Sequence, residues 1–566
     1  MNYINEYDNW CKSTNDEIIK KELSEIEGND SEIKERFYKH LEFGTGGLRG
    51  IIGAGCNRMN KYVIRRATKG LADYISEQGD AAKEKGVVIA YDSRNFSREF
   101  ALEAALVLCH NKIKVYLFDS LRPTPELSFA VRYMSAIAGI VITASHNPAE
   151  YNGYKVYWED GAQISPAIAD KVIEYINNSD YFTVESADEN SPYLNIIGAE
   201  VDKAYIDAVT KQTVYPDVNK NLKIVYTPLH GSGNLLVRAA LKKIGFENVI
   251  VVKEQEMPDG NFPTVASPNA ENKECFDIAI KIAKEQGADL IVGTDPDSDR
   301  VGIVVKNTLG EYVTMTGNQV GAMLVHYILT AKKERGALPE NGAIVSTIVS
   351  TKMGKTIADK FGIKFFKTLT GFKFIGEKIY EFERDNSYEF LLGYEESYGY
   401  LSGTYARDKD AVVATMLICE MAAYYAEKGM TLYDVMEELY KIYGGFSEEL
   451  VSITLTGSDG MEKINKIMES FRNNTPSKIG CFDLLAVRDY KKSIRNTIGG
   501  ESEKLDLPKS DVLYFEMSDG IDFIIRPSGT EPKIKIYFLS SAEDKVNADK
   551  KIKLLKSDVI KEIEKI

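Results

Sequence analysis

Apolar residues along the chain fall into two kinds of run. Short, nearly uninterrupted apolar stretches occur at Val87 to Tyr91, Ile113 to Phe118, Ala138 to Ile142, Leu222 to Tyr226, Val249 to Val252, Ala288 to Val292, Ala343 to Val345, Ile363 to Phe366 and Phe390 to Leu392. Their length and β-branched content predict strands buried on both faces. A unit of strand, polar loop, helix and strand returns three times, through Asp92-Ser93-Arg94, through His230-Gly231-Ser232-Gly233 and through Ser350-Thr351. Such alternation implies parallel sheets with right-handed crossovers.

Two regions depart from this pattern. Residues 1 to about 42 mix charge with helical spacing at Ile18, Leu23, Ile26, Ile33 and Phe37, which predicts helices packed on the first domain. Beyond about residue 450, Glu448 to Thr456 and Cys481 to Asp489 read as separate strands, Val512 to Phe515 and Ile521 to Ile525 as a hairpin around Ser518-Asp519-Gly520, and Lys533 to Phe538 as an alternating strand. The fold expected is α/β, with three related α/β domains of mainly parallel sheets plus a smaller carboxy-terminal α+β domain around a central cleft. The boundaries expected are 1–205, 206–320, 321–450 and 451–566. An amphipathic helix is expected from Ala411, after the mixed charges of Arg407-Asp408-Lys409-Asp410.

Length and charge narrow the function. A chain of 566 residues is too long for one core. A net charge of −14 argues against a general nucleic-acid surface, so an anionic ligand must meet a local basic pocket. The six cysteines, Cys11, Cys56, Cys109, Cys275, Cys419 and Cys481, form no Cys-x-x-Cys pair and read as reduced core thiols. The first ten residues lack a signal-peptide pattern and no stretch approaches a membrane span, so a cytoplasmic protein without a membrane partner is expected.

Candidate chemistry begins where Ala138 to Ile142 runs into Thr143-Ala144-Ser145-His146-Asn147-Pro148, which brings Ser145 to the carboxyl edge of a sheet, where ligands bind. Ser145 and His146 alone could equally be capping and structural residues. A second stretch, Gly293-Thr294-Asp295-Pro296-Asp297-Ser298-Asp299-Arg300, carries carboxylates at i, i+2 and i+4 that an extended segment would project to one side. They would repel one another unless a cation sat between them, and all-oxygen ligation suits magnesium. An EF-hand is excluded by Arg300 and Lys306, which stand where that loop needs Gly and Glu.

Further candidates follow the same logic. Four glycines in the seven residues after Phe43 would let backbone approach an anion beside Arg49, although a flexible turn fits the pattern too. Lys155 lies on a strand-like alternation and could be a solvated edge residue. Glu395 and Ser397, in Gly393-Tyr394-Glu395-Glu396-Ser397, would alternate onto one side of an extended segment and suit a vicinal diol, with a plain acidic loop as the alternative. Arg526-Pro527-Ser528-Gly529-Thr530 combines a guanidinium, two hydroxyls and glycine-exposed amides into a phosphate nest.

These four motifs, the serine stretch, the acidic stretch, the Glu395 loop and the Arg526 nest, resemble in this order the α-D-phosphohexomutase family, and within it the longer phosphoglucomutase branch, from about Phe43 to about Phe538. The resemblance implies that Ser145 is a phosphorylated nucleophile and that Arg49, His146, Lys155 and Lys409 serve the catalytic site. It implies that Ser145, Asp295, Asp297 and Asp299 hold Mg2+, and that Thr45, Arg300, Lys373, Glu395, Ser397, Arg526, Ser528, Gly529 and Thr530 contact a sugar phosphate. The implied reaction moves a phosphoryl group between carbon 1 and carbon 6 of glucose phosphate, with glucose 1,6-bisphosphate as intermediate and activator, in a monomer or homodimer. Mannose or pentose phosphate stand as alternative substrates of the same mechanism. A metal-dependent sugar phosphatase, or a sugar-phosphate-binding protein without turnover, are readings from other classes. Ser397-Tyr398-Gly399-Tyr400 lacks the His that follows the loop serine in many dual glucose and mannose enzymes, which favours glucose.

Overall fold

A computed structural model describes residues 2–44, 46–455, 460–527 and 533–566. The expectations for Thr45, Thr456, Ser528, Gly529 and Thr530 lie outside the described residues. The first sheet contains β1 (Gly47–Ile51), β2 (Val87–Tyr91), β3 (Val115–Phe118), β4 (Ala138–Ile142), β5 (Tyr151–Trp158) and β6 (Leu194–Ile197), in the order β1-β5-β4-β2-β3-β6. The second has β7 (Ile224–Thr227), β8 (Val249–Val251), β9 (Leu290–Thr294), β10 (Val301–Lys306) and β11 (Tyr312–Met315), ordered β11-β10-β9-β7-β8. The third has β12 (Gly342–Thr347), β13 (Lys364–Thr368), β14 (Glu389–Glu395) and β15 (Gly399–Leu401), ordered β13-β12-β14-β15.

All three sheets share one plan: a parallel core to which antiparallel strands are added at one edge. β4, β9 and β14 each turn back antiparallel into β5, β10 and β15. The three connections carry Ser145, Asp295 to Arg300 and Glu396 to Tyr398, and each contains one non-glycine residue of positive φ: Ser145 (53°), Ser298 (52°) and Tyr398 (65°). Two expectations are corrected here. Asp295, Asp297 and Asp299 converge through a tight turn rather than along an extended segment, and the extended segment holding Glu395 ends there, so Ser397 sits in the hairpin turn. A chain that reverses this sharply draws on left-handed backbone, which breaks strand alternation.

The fourth sheet is antiparallel. It is built from β16 (Gly445–Thr454), β17 (Lys478–Ile479), β18 (Phe482–Asp489), β19 (Ile494–Thr497), β20 (Ser502–Lys504), β21 (Leu513–Met517), β22 (Ile521–Pro527) and β23 (Lys533–Ala542). Helices Gly460–Asn473 and Lys545–Glu564 cover one face of it through Ile464, Met468, Phe471, Ile552, Leu555 and Val559. A separate apolar cluster, including Val349, Leu369, Tyr514 and Tyr537, joins this unit to the third sheet.

The amino-terminal helices Tyr3–Ser13, Glu17–Glu25 and Asp30–Phe37 pack on the first sheet's core through Trp10, Leu23, Ile26, Ile33 and Phe37, while Ile18 faces solvent. The glycine-rich stretch is not a flexible turn throughout, because Gly47 to Ile51 pairs with β5. Gly47, at φ 149°, lies so close to its partner that a Cβ would stand 1.9 Å from the Tyr154 carbonyl oxygen. Strand packing alone therefore requires a glycine here.

Two more expectations fail for reasons of packing. Helix Ala411–Ala426 is not amphipathic: every residue from Ala411 to Tyr425 is buried, because it runs between the second and third units. The charges before it are likewise buried at Arg407, Asp408 and Asp410. Of the cysteines, Cys56, Cys109, Cys275 and Cys419 are buried and Cys11 and Cys481 are exposed, all as free thiols. Among the described residues no helix is long and apolar enough to cross a membrane.

Asp410 caps this central helix, its Oδ1 accepting from Val412 N (2.8 Å) and Val413 N (3.0 Å) while Oδ2 accepts from the hydroxyls of Tyr205 and Tyr405. Asp410→Ala removes the cap and strands two phenols, so it should cost about 2 kcal/mol or more. Thermal melts should show that loss, with Asp410→Asn recovering most of it.

Candidate active site

Three helices begin at the acidic turn between β9 and β10. Thr124 N, in the first turn of helix Thr124–Tyr133, donates to Asp297 O (2.9 Å). Ser232 N, before helix Gly233–Ile244, donates to Pro296 O (2.8 Å), and Ala411 N donates to Ser298 O (3.0 Å). The positive ends of helices from three units therefore face three buried carboxylates, each helix end offsetting roughly 0.3–2 kcal/mol of the charge burial.

Within the turn, Asp295 Oδ1 accepts from the backbone of Asp299 and Arg300 at 3.1 and 3.0 Å, and Oδ2 accepts from Ser145 Oγ at 2.8 Å. Asp297 Oδ2 accepts from Thr124 Oγ1 (2.8 Å) and Lys155 Nζ (2.7 Å), while Asp299 Oδ2 lies 3.2 Å from Lys409 Nζ. Asp297 Oδ1 and Asp299 Oδ1 are fully buried without a hydrogen-bond partner among the described residues. One oxygen from each of the three carboxylates can be chosen so that all lie within 4.8 Å of one another. Orphaned buried carboxylate oxygens in an all-oxygen cluster fit a hard divalent ion such as magnesium.

The charge states agree with that reading. Burial, then Asp297 and Asp299, push the Asp295 carboxyl well above the usual range. For Asp297 burial acts in the same direction, but Lys155 and Thr124 outweigh it and hold the group ionised. Burial would lower Lys155 and Lys409, yet Asp297 and Asp299 raise the first and Asp299 and Asp408 raise the second, so both remain ammonium ions.

Ser145 is positioned by β4 and by its own N–H, which donates to Thr143 Oγ1 (2.8 Å). Its Oγ also lies 3.2 Å from His146 Nδ1. Burial of that ring, followed by the charges of Arg300 and Arg49, holds His146 well below the ordinary histidine value, which leaves it neutral. Lys155 is no solvated edge residue: β5 lies between β1 and β4, and only 12% of the Lys155 side chain is exposed. Lys409 is held by Asp408 Oδ1 (3.0 Å), whose other oxygen accepts from Tyr157 OH at 2.7 Å.

Above these groups opens a cleft of about 820 Å³. Arg49, His146, Arg300, Glu395, Ser397, Lys409 and Arg526 line it. Arg49 Nη1 donates to Asn147 Oδ1 (3.2 Å), Arg300 Nη1 pairs with Glu271 Oε1 (2.5 Å), and Glu395 Oε1 accepts from Gly371 N (2.8 Å). Lys373 is not among the lining residues; its ammonium lies 5.2 Å from the Phe374 ring centroid, in the first turn of helix Phe372–Asp385.

Sequence reasoning missed several lining groups. Lys533 and Lys535 on β23 reach the cleft beside Arg526, and their i, i+2 spacing was the available signal. Glu396 accepts from Thr347 Oγ1 and Ser350 Oγ, both at 3.2 Å, and burial followed by Glu395 pushes it up to about 7. Glu271 and Gln163 come from segments without a motif.

Comparison with known proteins supplies an independent measure. The sequence matches the descriptions "Phosphoglucomutase/phosphomannomutase, alpha/beta/alpha domain" I, II and III over residues 40–182, 203–310 and 316–443. It is 37% identical over 535 residues to a phosphoglucomutase of Staphylococcus haemolyticus (strain JCSC1435), covering 94% of this chain and 95% of that one. Identity is also 37% over 532 residues with a phosphoglucomutase of Staphylococcus aureus (strain USA300), covering 93% and 94%. Two solved structures share the fold. A Thermus thermophilus protein described as a phosphomannomutase is 20% identical, with TM-score 0.68 and coverage of 93% and 99%. Paramecium parafusin, a phosphoglucomutase in its open form, is 17% identical, with TM-score 0.67 and coverage of 93% and 95%.

Magnesium should raise the melting temperature by mass action, by about 2.7 kcal/mol of stabilisation at a hundred times its Kd. Asp297→Asn and Asp299→Asn, which neutralise the orphaned oxygens, should lose most of that shift in differential scanning calorimetry. A full shift in both variants would place the ion elsewhere.

Proposed function

The chain belongs to the phosphoglucomutase/phosphomannomutase family, and on that footing we propose that it interconverts glucose 1-phosphate and glucose 6-phosphate through phosphorylated Ser145 and a glucose 1,6-bisphosphate intermediate. The observation that carries the reading is Ser145 Oγ donating to Asp295 at the junction of three units, under a cleft lined with cations. The 37% identity with phosphoglucomutases over nearly their whole length supports glucose as the sugar, as does the absence of His after Ser397.

In the proposed transfer, the free hydroxyl oxygen of a sugar monophosphate bonds to phosphorus as the bond to Ser145 Oγ breaks, and Oγ leaves with the electron pair. When bound by Asp295, Asp297, Asp299 and Ser145, magnesium supplies positive charge that offsets the phosphoryl oxygens. Lys155 and Lys409, both charged, contribute further positive charge against the same oxygens, and Arg49 and Arg300 orient them. The proton that the attacking hydroxyl loses is the one that Oγ gains as its bond to phosphorus breaks, and neutral His146, with Nδ1 within hydrogen-bond reach of Oγ, orients that oxygen.

Glu395 and Ser397 engage sugar hydroxyls, and Arg526 holds the phosphate that is not reacting, with Lys533, Lys535 and the motif residues Ser528, Gly529 and Thr530. In the same reading, Thr45 of the glycine-rich motif takes part in substrate binding. The bisphosphate reorients within the cleft and returns its other phosphoryl group to Ser145, so that phosphate exchanges position on the sugar. Four units, 1–205, 206–320, 321–450 and 451–566, enclose this space and limit hydrolysis of the phosphoserine.

Incubation with glucose 1,6-bisphosphate should add one phosphoryl group, mapped to Ser145 by peptide mass spectrometry, and Ser145→Ala should lose at least about three orders of magnitude in turnover. Rates with glucose, mannose and ribose 1-phosphates should rank glucose first. Labelled phosphate appearing in water rather than on sugar would make the chain a phosphatase instead. Arg526→Ala should weaken sugar-phosphate binding by roughly 1.5–3 kcal/mol, and Lys at that position should restore only part of it. Parental binding and turnover in Arg526→Ala would remove the carboxy-terminal unit from phosphate recognition.

A further inference from the structure

Ser145 sits in a turn whose backbone is gathered by one buried side chain. Arg94 Nη2 donates to Ser145 O (2.6 Å) and to Asn147 O, and Nη1 donates to Pro148 O (2.8 Å) and Tyr151 O (3.0 Å). Its Nε stands 3.4 Å from Asp92 Oδ2, and neither side chain is exposed. Asp92 Oδ2 also accepts from Thr143 Oγ1 (2.6 Å), which itself accepts from Ser145 N (2.8 Å). The N–H and the C=O of Ser145 are thus tied into one ring through Thr143, Asp92 and Arg94. A serine at φ 53° is sparsely populated unless its surroundings over-determine it, and this ring does so.

The second unit closes on the same ring. The segment from Met257 to Ser267 is anchored by His230, whose Nδ1 and Nε2 lie 3.0 Å from Met257 O and Thr264 Oγ1. From it, Phe262 lies under the Arg94 guanidinium at 5.1 Å, Asn261 Oδ1 accepts from Asn95 Nδ2 (2.9 Å), and Ser267 Oγ donates to His146 O (2.6 Å). Gly260 approaches so near that a Cβ would stand 2.4 Å from Asn95 N. The strap packs directly against the first unit at this point.

We propose that Arg94 is a positioning residue for phosphoryl transfer: it fixes the backbone of Ser145 from within the first unit, while the 257–267 strap fixes the adjoining His146 carbonyl from the second. The proposal deepens the phosphoglucomutase assignment and rests on it. Arg94 touches no reacting atom, so its removal must act on the geometry of Ser145 and not on sugar binding. A lysine in its place keeps the charge opposite Asp92 but cannot span four carbonyls.

The test compares Arg94→Lys and Ser267→Ala with the parent full-length protein, following steady-state rates and single-turnover phosphorylation of Ser145 by glucose 1,6-bisphosphate. A displacement of about 1 Å in a reacting group costs about 100-fold, so Arg94→Lys should lose about 100-fold in kcat with KM for glucose 1-phosphate within about threefold of the parent. Ser267→Ala, which leaves the core ring intact and guards against loss of fold in the first variant, should lose about tenfold in kcat, again without a matching rise in KM. Parental phosphorylation and parental kcat in both variants, or a loss borne by KM, overturns the positioning role. Failure of the parent itself to be phosphorylated on Ser145 overturns the assigned reaction first, and the two failures are told apart by that control.

Discussion

The arrangement depends on the burial of Asp295, Asp297 and Asp299 in one tight turn. Three carboxylates in a low-dielectric interior repel one another and each has lost its water, a cost of several kcal/mol per ion unless compensated. Compensation comes from every side: helix N-termini from three units, Lys155 from β5, Lys409 from the loop before helix Ala411–Ala426, and Ser145 Oγ from the turn after β4. No single unit holds the set. The acidic turn therefore acts as the joint of the molecule, and the same contacts that neutralise it bring Ser145 and the cations together.

The cleft repeats this logic on a smaller scale. A chain of net charge −14 must gather cations locally to attract an anionic sugar phosphate. Arg49, Arg300, Lys409, Arg526, Lys533 and Lys535 all face the cleft, and Glu271 and Asp408 hold two of them in place. Charged partners restrict the rotamers of long side chains, so the cations are set before a ligand arrives.

The three α/β units show how one local device was used for three purposes. Each ends a buried strand in a reversal with a left-handed residue, and the turns present Ser145, the cluster of Asp295, Asp297 and Asp299, and Ser397 beside the strand-end Glu395. Apolar runs alone announced β2, β4 and most of the other central strands almost to the residue. They did not announce the hairpins, because an antiparallel strand such as β5 or β10 has the same composition as a parallel one, and the choice depends on which neighbour it meets. For the same reason Glu395 and Ser397 were expected to alternate and instead lie on a strand end and in a turn.

What the sequence determined by itself is the set of local chemistries: Ser145 at the end of a β-branched run, carboxylates spaced by two, a guanidinium beside glycine and hydroxyls, and a three-fold rhythm of strands and helices. Those are properties of adjacent residues, and short-range sterics and periodicity express them. What only the tertiary structure decided is everything that joins distant segments. Lys155 became a partner of Asp297 and not an edge residue because β1 covers β5; the helix from Ala411 became buried through Tyr425 because two units enclose it; and Lys535 and Glu271 entered the cleft. Burial and the sign of the neighbouring charge are fixed by packing between elements far apart along the chain, and no window of sequence contains them.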